Sequence, residues 1–167
     1  GLIFFGLEIM SDAFKPLRSD ESFMNLMLAL DAQSLLSILG CVAIGCMMTM
    51  IIQSSSAMLG ITMALAATGA IPLYTAVALV MGENIGTTIT AQFAAIGGSI
   101  AARRAAMAHS VFNVLGVFII ISIFSTYVDM IELFVPGLSN FVDADGSRPY
   151  IAAHIAMAHT FFNVTAT

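Results

Sequence analysis

The sequence predicts an all-α integral membrane protein, and three observations carry that expectation. Apolar residues make up 59% of the chain and charged residues only 9%, where a soluble domain carries about 25% charged residues. Mean hydropathy is +0.99. No Asp, Glu, Lys or Arg occurs from Ala32 to Gly82. That run is long enough to cross a bilayer and turn back, since one helical crossing takes about 20 apolar residues.

The net charge of −5 sits mostly in the segment from Asp129 to Asp145. No basic cluster of the kind that grips phosphate backbones is present, so no nucleic-acid partner is expected. Cys41 and Cys46 lie in an apolar stretch with no further Cys or His to complete a ligand set, and read as small packing residues. Gly1 opens on an apolar run without an initiator Met or a basic n-region, so it is not a signal peptide. Thr167 falls inside another apolar stretch. The expectation is a fragment of a transporter-sized chain, one transmembrane domain over 1–167, with a further helix beginning at about 150.

Taken in order, residues 1–14 read as the end of a helix. Lys15 to Glu21 reads as a polar connector, where Pro16 discourages helix continuation. Phe23 to Leu30 is short and amphipathic, and Asp31 or Ser34 offers an N-cap to the next helix. From Leu35 to Ile52 the pattern is small and apolar, with Gly40, Gly45 and Cys46 permitting close helix contact.

Gln53-Ser54-Ser55-Ser56 then interrupts the apolar run. Four hydrogen-bonding side chains in a row are costly in hydrocarbon unless they line a cavity or find partners. They mark an ion or solute site, or they stitch helices together. Ala57 to Ala67 resumes the apolar character, and Thr68 to Pro72 reads as a turn, with Pro72 suited to a helix start. Helix, polar interruption, helix and turn make a broken or re-entrant element, tolerated at membrane depth only within protein or beside water.

Leu73 to Met81 leads to a second expected interruption, Gly82-Glu83-Asn84-Ile85-Gly86-Thr87-Thr88, with Thr90 and Gln92 beyond it. Two glycines free the backbone there, and the Asn and Thr oxygens suit sodium, a cation that prefers hard oxygen ligands. A plain helix connector is the competing reading. Glu83 stands where a small residue would be unremarkable, and facing water, binding a cation and pairing with an arginine all remain open to it. Arg103-Arg104 is read as a cytoplasmic marker. Ala105 to Tyr127 reads as a spanning helix, Asp129 to Pro149 as an acidic external loop, and Tyr150 onward as another helix.

An internal echo runs through the second half. Ala106 to Val114 reappears as Ala156 to Val164 with seven of nine residues identical and Ser110 exchanged for Thr160. Each copy sets His and Asn four apart, on one helix face. His109, Asn113, His159 and Asn163 are therefore read as residues supporting a site from behind, through faces that meet each other or the Gln53–Ser56 segment.

Together these motifs resemble the sodium/phosphate cotransporter family. QSSS lies in an apolar broken helix, G-x-N-I-G-T-T spans Gly82 to Thr88, and R-x-A-x-x-H-x-x-F-N spans Arg104 to Asn113. The motifs keep the family's order over nearly the whole chain. That family has two inverted repeats, each bearing QSSS; this chain resembles one of them, with GLIFFGLEIMSDAFKPL similar to the opening of the second. The resemblance implies sodium-driven symport of inorganic phosphate by alternating access, in a multi-pass protein of the cell membrane. It implies phosphate at Gln53, Ser54, Ser55 and Ser56, and sodium at Gln53, Ser55, Asn84, Thr87 and Thr88. Partners would be phosphate, sodium, the lipid bilayer and the parent chain's other QSSS repeat, with sodium as coupling ion and no cofactor.

The physics of the residues agrees, because hydroxyls and amide N–H groups at a helix N-terminus favour an anion without a fixed positive charge. An intramembrane serine hydrolase is the alternative from another class, with a Ser of 54–56 as nucleophile and His109 or His159 as base. Against it, no Ser lies in a G-x-S-x-G context. A structural or regulatory membrane module in phosphate homeostasis, and transport of another oxyanion, are further alternatives.

Overall fold

The computed structural model describes residues 31–165 continuously and, before them, Phe5, Gly6, Ile9, Met10, Asp12, Ala13, Pro16, Glu21, Ser22 and Asn25. The segments expected over 1–14, 15–21 and 23–30 fall largely outside the described residues. The described elements are all helical: α1 (Leu35–Ile52), α2 (Ser55–Ala67), α3 (Leu73–Ala95), α4 (Ile100–Ser122), α5 (Phe124–Phe134) and α6 (Ile151–Thr165).

Local chemistry sets most of the boundaries. Ser34 caps α1 reciprocally: its Oγ accepts from Ser37 N–H at 3.2 Å, while Ser37 Oγ accepts from Ser34 N–H at 3.0 Å. Gln53 ends α1 in the left-handed region, at φ 55°. Ser54 then caps α2 through Ala57 N–H, 3.3 Å away. Gly69, at φ 78°, closes α2 with two bonds, Gly69 N–H to Ala66 O at 2.9 Å and Ala70 N–H to Leu65 O at 3.0 Å. Pro72 immediately precedes α3, where its missing N–H costs the helix nothing. Ser99 caps α4 through Ala102 N–H.

α3 is the centre of the molecule. Every residue from Leu73 to Asn84 except Tyr74 is buried. α1 packs along it in the same direction. Ala32, just ahead of α1, donates its N–H to Thr75 Oγ1 at the start of α3. Farther along, Gly45 lies on Leu79, Val42 on Gly82, and Cys46 and Thr49 on Gly86. α2 runs back the other way. Five residues join its C-terminus to the start of α3, and Thr62 of α2 hydrogen-bonds Glu83 of α3. The α1–α2 junction at Gln53 and Ser54 therefore points towards the C-terminal half of α3. At about 1.5 Å per residue it comes level with Thr90.

Three expectations are corrected. The segment from Gly82 to Thr88 is no interruption: α3 is one unbroken helix of 23 residues. Its glycines let the α1 backbone approach instead of unwinding the chain, and tertiary packing outweighs their poor helix propensity. The expected span Ala105–Tyr127 is divided, with α4 ending at Ser122 and α5 starting beyond Ile123 (φ −122°, ψ 27°). Asp129 and Glu132 belong to α5, so the acidic loop is confined to residues 135–150.

That loop is tied down at several points. Arg148 donates its backbone N–H to Ala67 O at 2.7 Å, at the C-terminus of α2, where a nearby cation suits the helix dipole. Ser139 Oγ donates to Glu132 Oε1, Glu132 Oε2 lies 3.4 Å from Nε2 of buried His154, and His154 Nδ1 is 2.9 Å from Tyr150 O. Tyr127 Oη donates to Ala158 O, joining α5 to α6 in the core. Tyr127→Phe is expected to lower unfolding stability by about 1 kcal/mol, the net worth of one buried hydrogen bond. Thermal unfolding of the purified protein checks it, and an unchanged midpoint would contradict the bond.

The outer side is apolar. Phe112, Phe118 and Ile119 of α4 are each at least 60% exposed. A groove of about 570 Å³ lined by Phe112, Ile119, Tyr127 and Phe161 opens between α4, α5 and α6. Exposed apolar surface on this scale marks a membrane or protein contact. Leu35–Ile52 and Ile100–Ser122 are long and apolar enough to cross a membrane.

Candidate functional site

The residues singled out from sequence divide between a helix junction and the helix beside it. Gln53 to Ser56 stand where α1 gives way to α2. Gln53 and Ser56 are exposed, while Ser54 and Ser55 are half-buried. Gln53 reaches its left-handed conformation while its N–H still bonds Thr49 O at 2.7 Å. A left-handed residue without a glycine is uncommon and costs about 1–2 kcal/mol. With it comes a sharp reversal that brings the Ser54 and Ser56 hydroxyls together at the start of α2. Ser54 Oγ and Ser56 Oγ lie 3.3 Å apart, sharing a hydrogen bond.

The electrostatics of this point follow from the backbone. N–H groups in the first turn of α2 have no intrahelical carbonyl to bond. Ser54 Oγ satisfies one of them, at Ala57. The 13-residue helix behind them places the positive end of its dipole here. An anion arriving at Ser55 and Ser56 would meet amide N–H groups, hydroxyl donors and that dipole. None of these donors is a formal charge, so attraction stays moderate and release stays possible.

The second set of predicted residues lies on α3. Glu83, Thr87 and Thr90 fall at i, i+4 and i+7 and share one face, and the Thr62–Glu83 bond turns that face towards α2. The stripe climbs from a buried carboxylate to the level of the α1–α2 junction. Asn84 and Thr88 form the neighbouring stripe, both buried. Thr87 donates to Glu83 O, Thr88 to Ile85 O and Thr90 to Thr87 O, each at 2.8 Å. Each threonine spends its proton on its own helix and keeps lone pairs for a cation. Asn84 Nδ2 has no hydrogen-bond partner.

The His/Asn pairs lie elsewhere. Asn113 donates to His109 O at 3.0 Å, and Asn163 to His159 O at 2.8 Å. Ser110 donates to Ala106 O and Thr160 to Ala156 O in the same pattern, so the sequence echo is also an echo of hydrogen bonds. His109 is exposed beside a hollow of about 370 Å³ walled by alanines of α3 and α4. Among the described residues, no hydrogen bond joins either pair to Gln53–Ser56, and no histidine bonds a serine of that segment.

Two residues of this region carried no signal in sequence. Thr62 is fully buried and donates to Glu83 Oε1 at 2.7 Å. Thr49 is 1% exposed, with its Oγ1 lacking a hydrogen-bond partner. Each lies inside an apolar run, where a threonine reads as filler. Gln92 closes the far side of α3, donating to Ala106 O at 3.0 Å and Ser110 Oγ at 2.7 Å on α4.

A family model described as Na+/Pi-cotransporter matches residues 2–140. The uncharacterized protein YqeW of Bacillus subtilis (strain 168) is 44% identical over 93 residues, covering 56% of this chain and 30% of YqeW. The chain thus matches less than a third of that relative's length. No solved structure matches it.

Proposed function

The chain belongs to the Na+/Pi-cotransporter family, and on that premise we propose that it forms one phosphate-binding half of a sodium-coupled symporter in a cell membrane. Phosphate binds at Gln53, Ser54, Ser55 and Ser56. The observation that carries this reading is the reversal at Gln53, beyond which α2 starts with Ser54 Oγ and Ser56 Oγ 3.3 Å apart. Backbone N–H groups with a helix dipole form an anion site without a buried lysine.

Sodium enters the same reading through oxygen. Gln53 and Ser55 contribute from the junction; Asn84, Thr87 and Thr88 contribute from α3. A cation held there offsets the charge of phosphate, so each ion raises the affinity for the other. Such coupling is reciprocal by thermodynamic necessity. Gln53 and Ser56 are exposed in this chain, and a second QSSS repeat would complete the enclosure, closing the site to each side in turn. The apolar outer face of α4 suits lipid in a multi-pass arrangement.

The test is uptake of radiolabelled phosphate into proteoliposomes containing this chain together with a second QSSS repeat, with an inward sodium gradient and potassium as control. Sodium-dependent uptake is the expected result. A well-folded protein that moves phosphate equally in both gradients, or in neither, would overturn the symport reading.

A further inference from the structure

We propose that Glu83 supplies the fixed negative charge of a sodium site set behind the phosphate-binding turn, with Thr62 as its companion oxygen. The inference rests on the symport reading for its meaning, though its test does not depend on transport.

Glu83 is 1% exposed and Thr62 fully buried. Thr62 Oγ1 donates to Glu83 Oε1 at 2.7 Å. Glu83 Oε2, equally buried, has no hydrogen-bond partner. No lysine, arginine or histidine pairs with this carboxylate among the described residues. One turn along α3, Thr49 of α1 stands against Gly86 with its own buried Oγ1 lacking a hydrogen-bond partner. A carboxylate taken out of water is costly unless a counter-charge and further polar groups meet it. Here α2 and α3 meet at one buried carboxylate that holds a single hydroxyl partner and, among the described residues, no cation.

The donor set selects the ion. All the groups are hard oxygens, which suit sodium. A single carboxylate balances one positive charge, whereas calcium sites surround the ion with 6–8 oxygens from several carboxylates and carbonyls. Phosphate is excluded by the sign of Glu83. Thr62 holds the carboxylate with its proton and keeps two lone pairs for the ion.

Position gives the site its role. Thr62 lies seven positions beyond Ser55 on α2, about 10 Å along the helix axis. A cation at Glu83 and an anion at Ser55 would then attract through a packed, water-poor helix, where salt does not screen them as it would at a surface. Sodium at this depth therefore loads the carrier for phosphate.

The experiment measures thermal stability and radiolabelled sodium binding of the full chain in detergent, with sodium replaced by a bulky organic cation at constant ionic strength. Saturating sodium is expected to raise the unfolding midpoint by about 4 °C. Glu83→Gln keeps the acceptor for Thr62 and removes only the charge; it is expected to weaken apparent sodium affinity by about tenfold or more. Thr62→Val, close in shape, is expected to weaken it by a smaller factor. If Glu83→Gln folds and responds to sodium as the unaltered chain does, the proposal fails; so it does if the unaltered chain shows neither binding nor a shift. Should Glu83→Gln fail to fold, Thr62→Val decides on the same two readouts. Sodium binding lost in these variants while the unaltered chain moves no phosphate would retire the symport reading and leave this site standing. Sodium-driven uptake beside an unchanged sodium response in Glu83→Gln would do the reverse.

Discussion

Gly82→Ala is expected to break the α1–α3 seam and lower stability by about 3 kcal/mol or more, while Gly40→Ala, in the same sheath of helices, is expected to be neutral or stabilising. The difference lies in what a methyl group meets. At Gly82 an added Cβ would overlap the carbonyl oxygen of Val42 and lie 2.7 Å from the backbone N of Cys46. Those are main-chain atoms of a packed helix, so relief requires α1 to move bodily. At Gly45 the same overlap arises with the Leu79 carbonyl, and at Gly86 with Cys46 and Thr49. Overpacking by one or two methylenes already costs about 1–3 kcal/mol where side chains can adjust; backbone against backbone has less freedom. At Gly40 nothing lies within 4 Å, and alanine is the better helix former by about 1 kcal/mol. The check is the unfolding midpoint and monodisperse yield of both variants in one detergent. Equal stability for the two would mean that α1 and α3 do not approach as closely as the glycines indicate.

The same glycines explain where sequence reading succeeded and where it stopped. The end of one helix and the start of the next at Gln53 to Ser56 were legible because four polar side chains in an uncharged apolar run have few physical explanations. Ser34 and the turn after Ala67 were legible from capping and turn chemistry, and the helix after Tyr150 from its apolar run. Gly82 and Gly86 misled, because glycine signals both freed backbone and close approach. Only a partner helix decides between these, and that partner lies forty residues earlier in the chain. The break at Ile123 left no trace, since an apolar run without Gly or Pro gives no local cue. Thr62 and Thr49 were invisible for a related reason. A hydroxyl in an apolar helix is unremarkable until the opposite helix presents a carboxylate. Glu83 was visible as an anomaly, and its meaning came from the side chains that pack on it.

Ser55→Ala is expected to abolish most sodium-dependent phosphate uptake, by at least about tenfold, with little change in folding. Ser55 opens α2 half-buried, and its side chain is not the cap, a role held by Ser54. Losing a hydroxyl that serves a ligand costs binding, about 1.4 kcal/mol for each tenfold, while the helix keeps its start. Gln53→Gly sharpens the argument, because it separates the side chain from the backbone. Glycine adopts φ near 55° without penalty, so the reversal survives and stability should hold or rise by about 1 kcal/mol. Uptake should nevertheless fall at least about tenfold, since the amide that would contact both ions is gone. Both variants should insert and unfold like the unaltered chain in the thermal assay. If uptake survives in Gln53→Gly and in Ser55→Ala alike, the junction is a structural turn and the binding site must lie elsewhere on α3. If uptake fails only where stability fails, the serines act by capping, and Ser54→Ala would then be the more damaging change. Loss of transport in a protein whose fold is intact is the outcome that ties the chemistry to this one reversal of the chain.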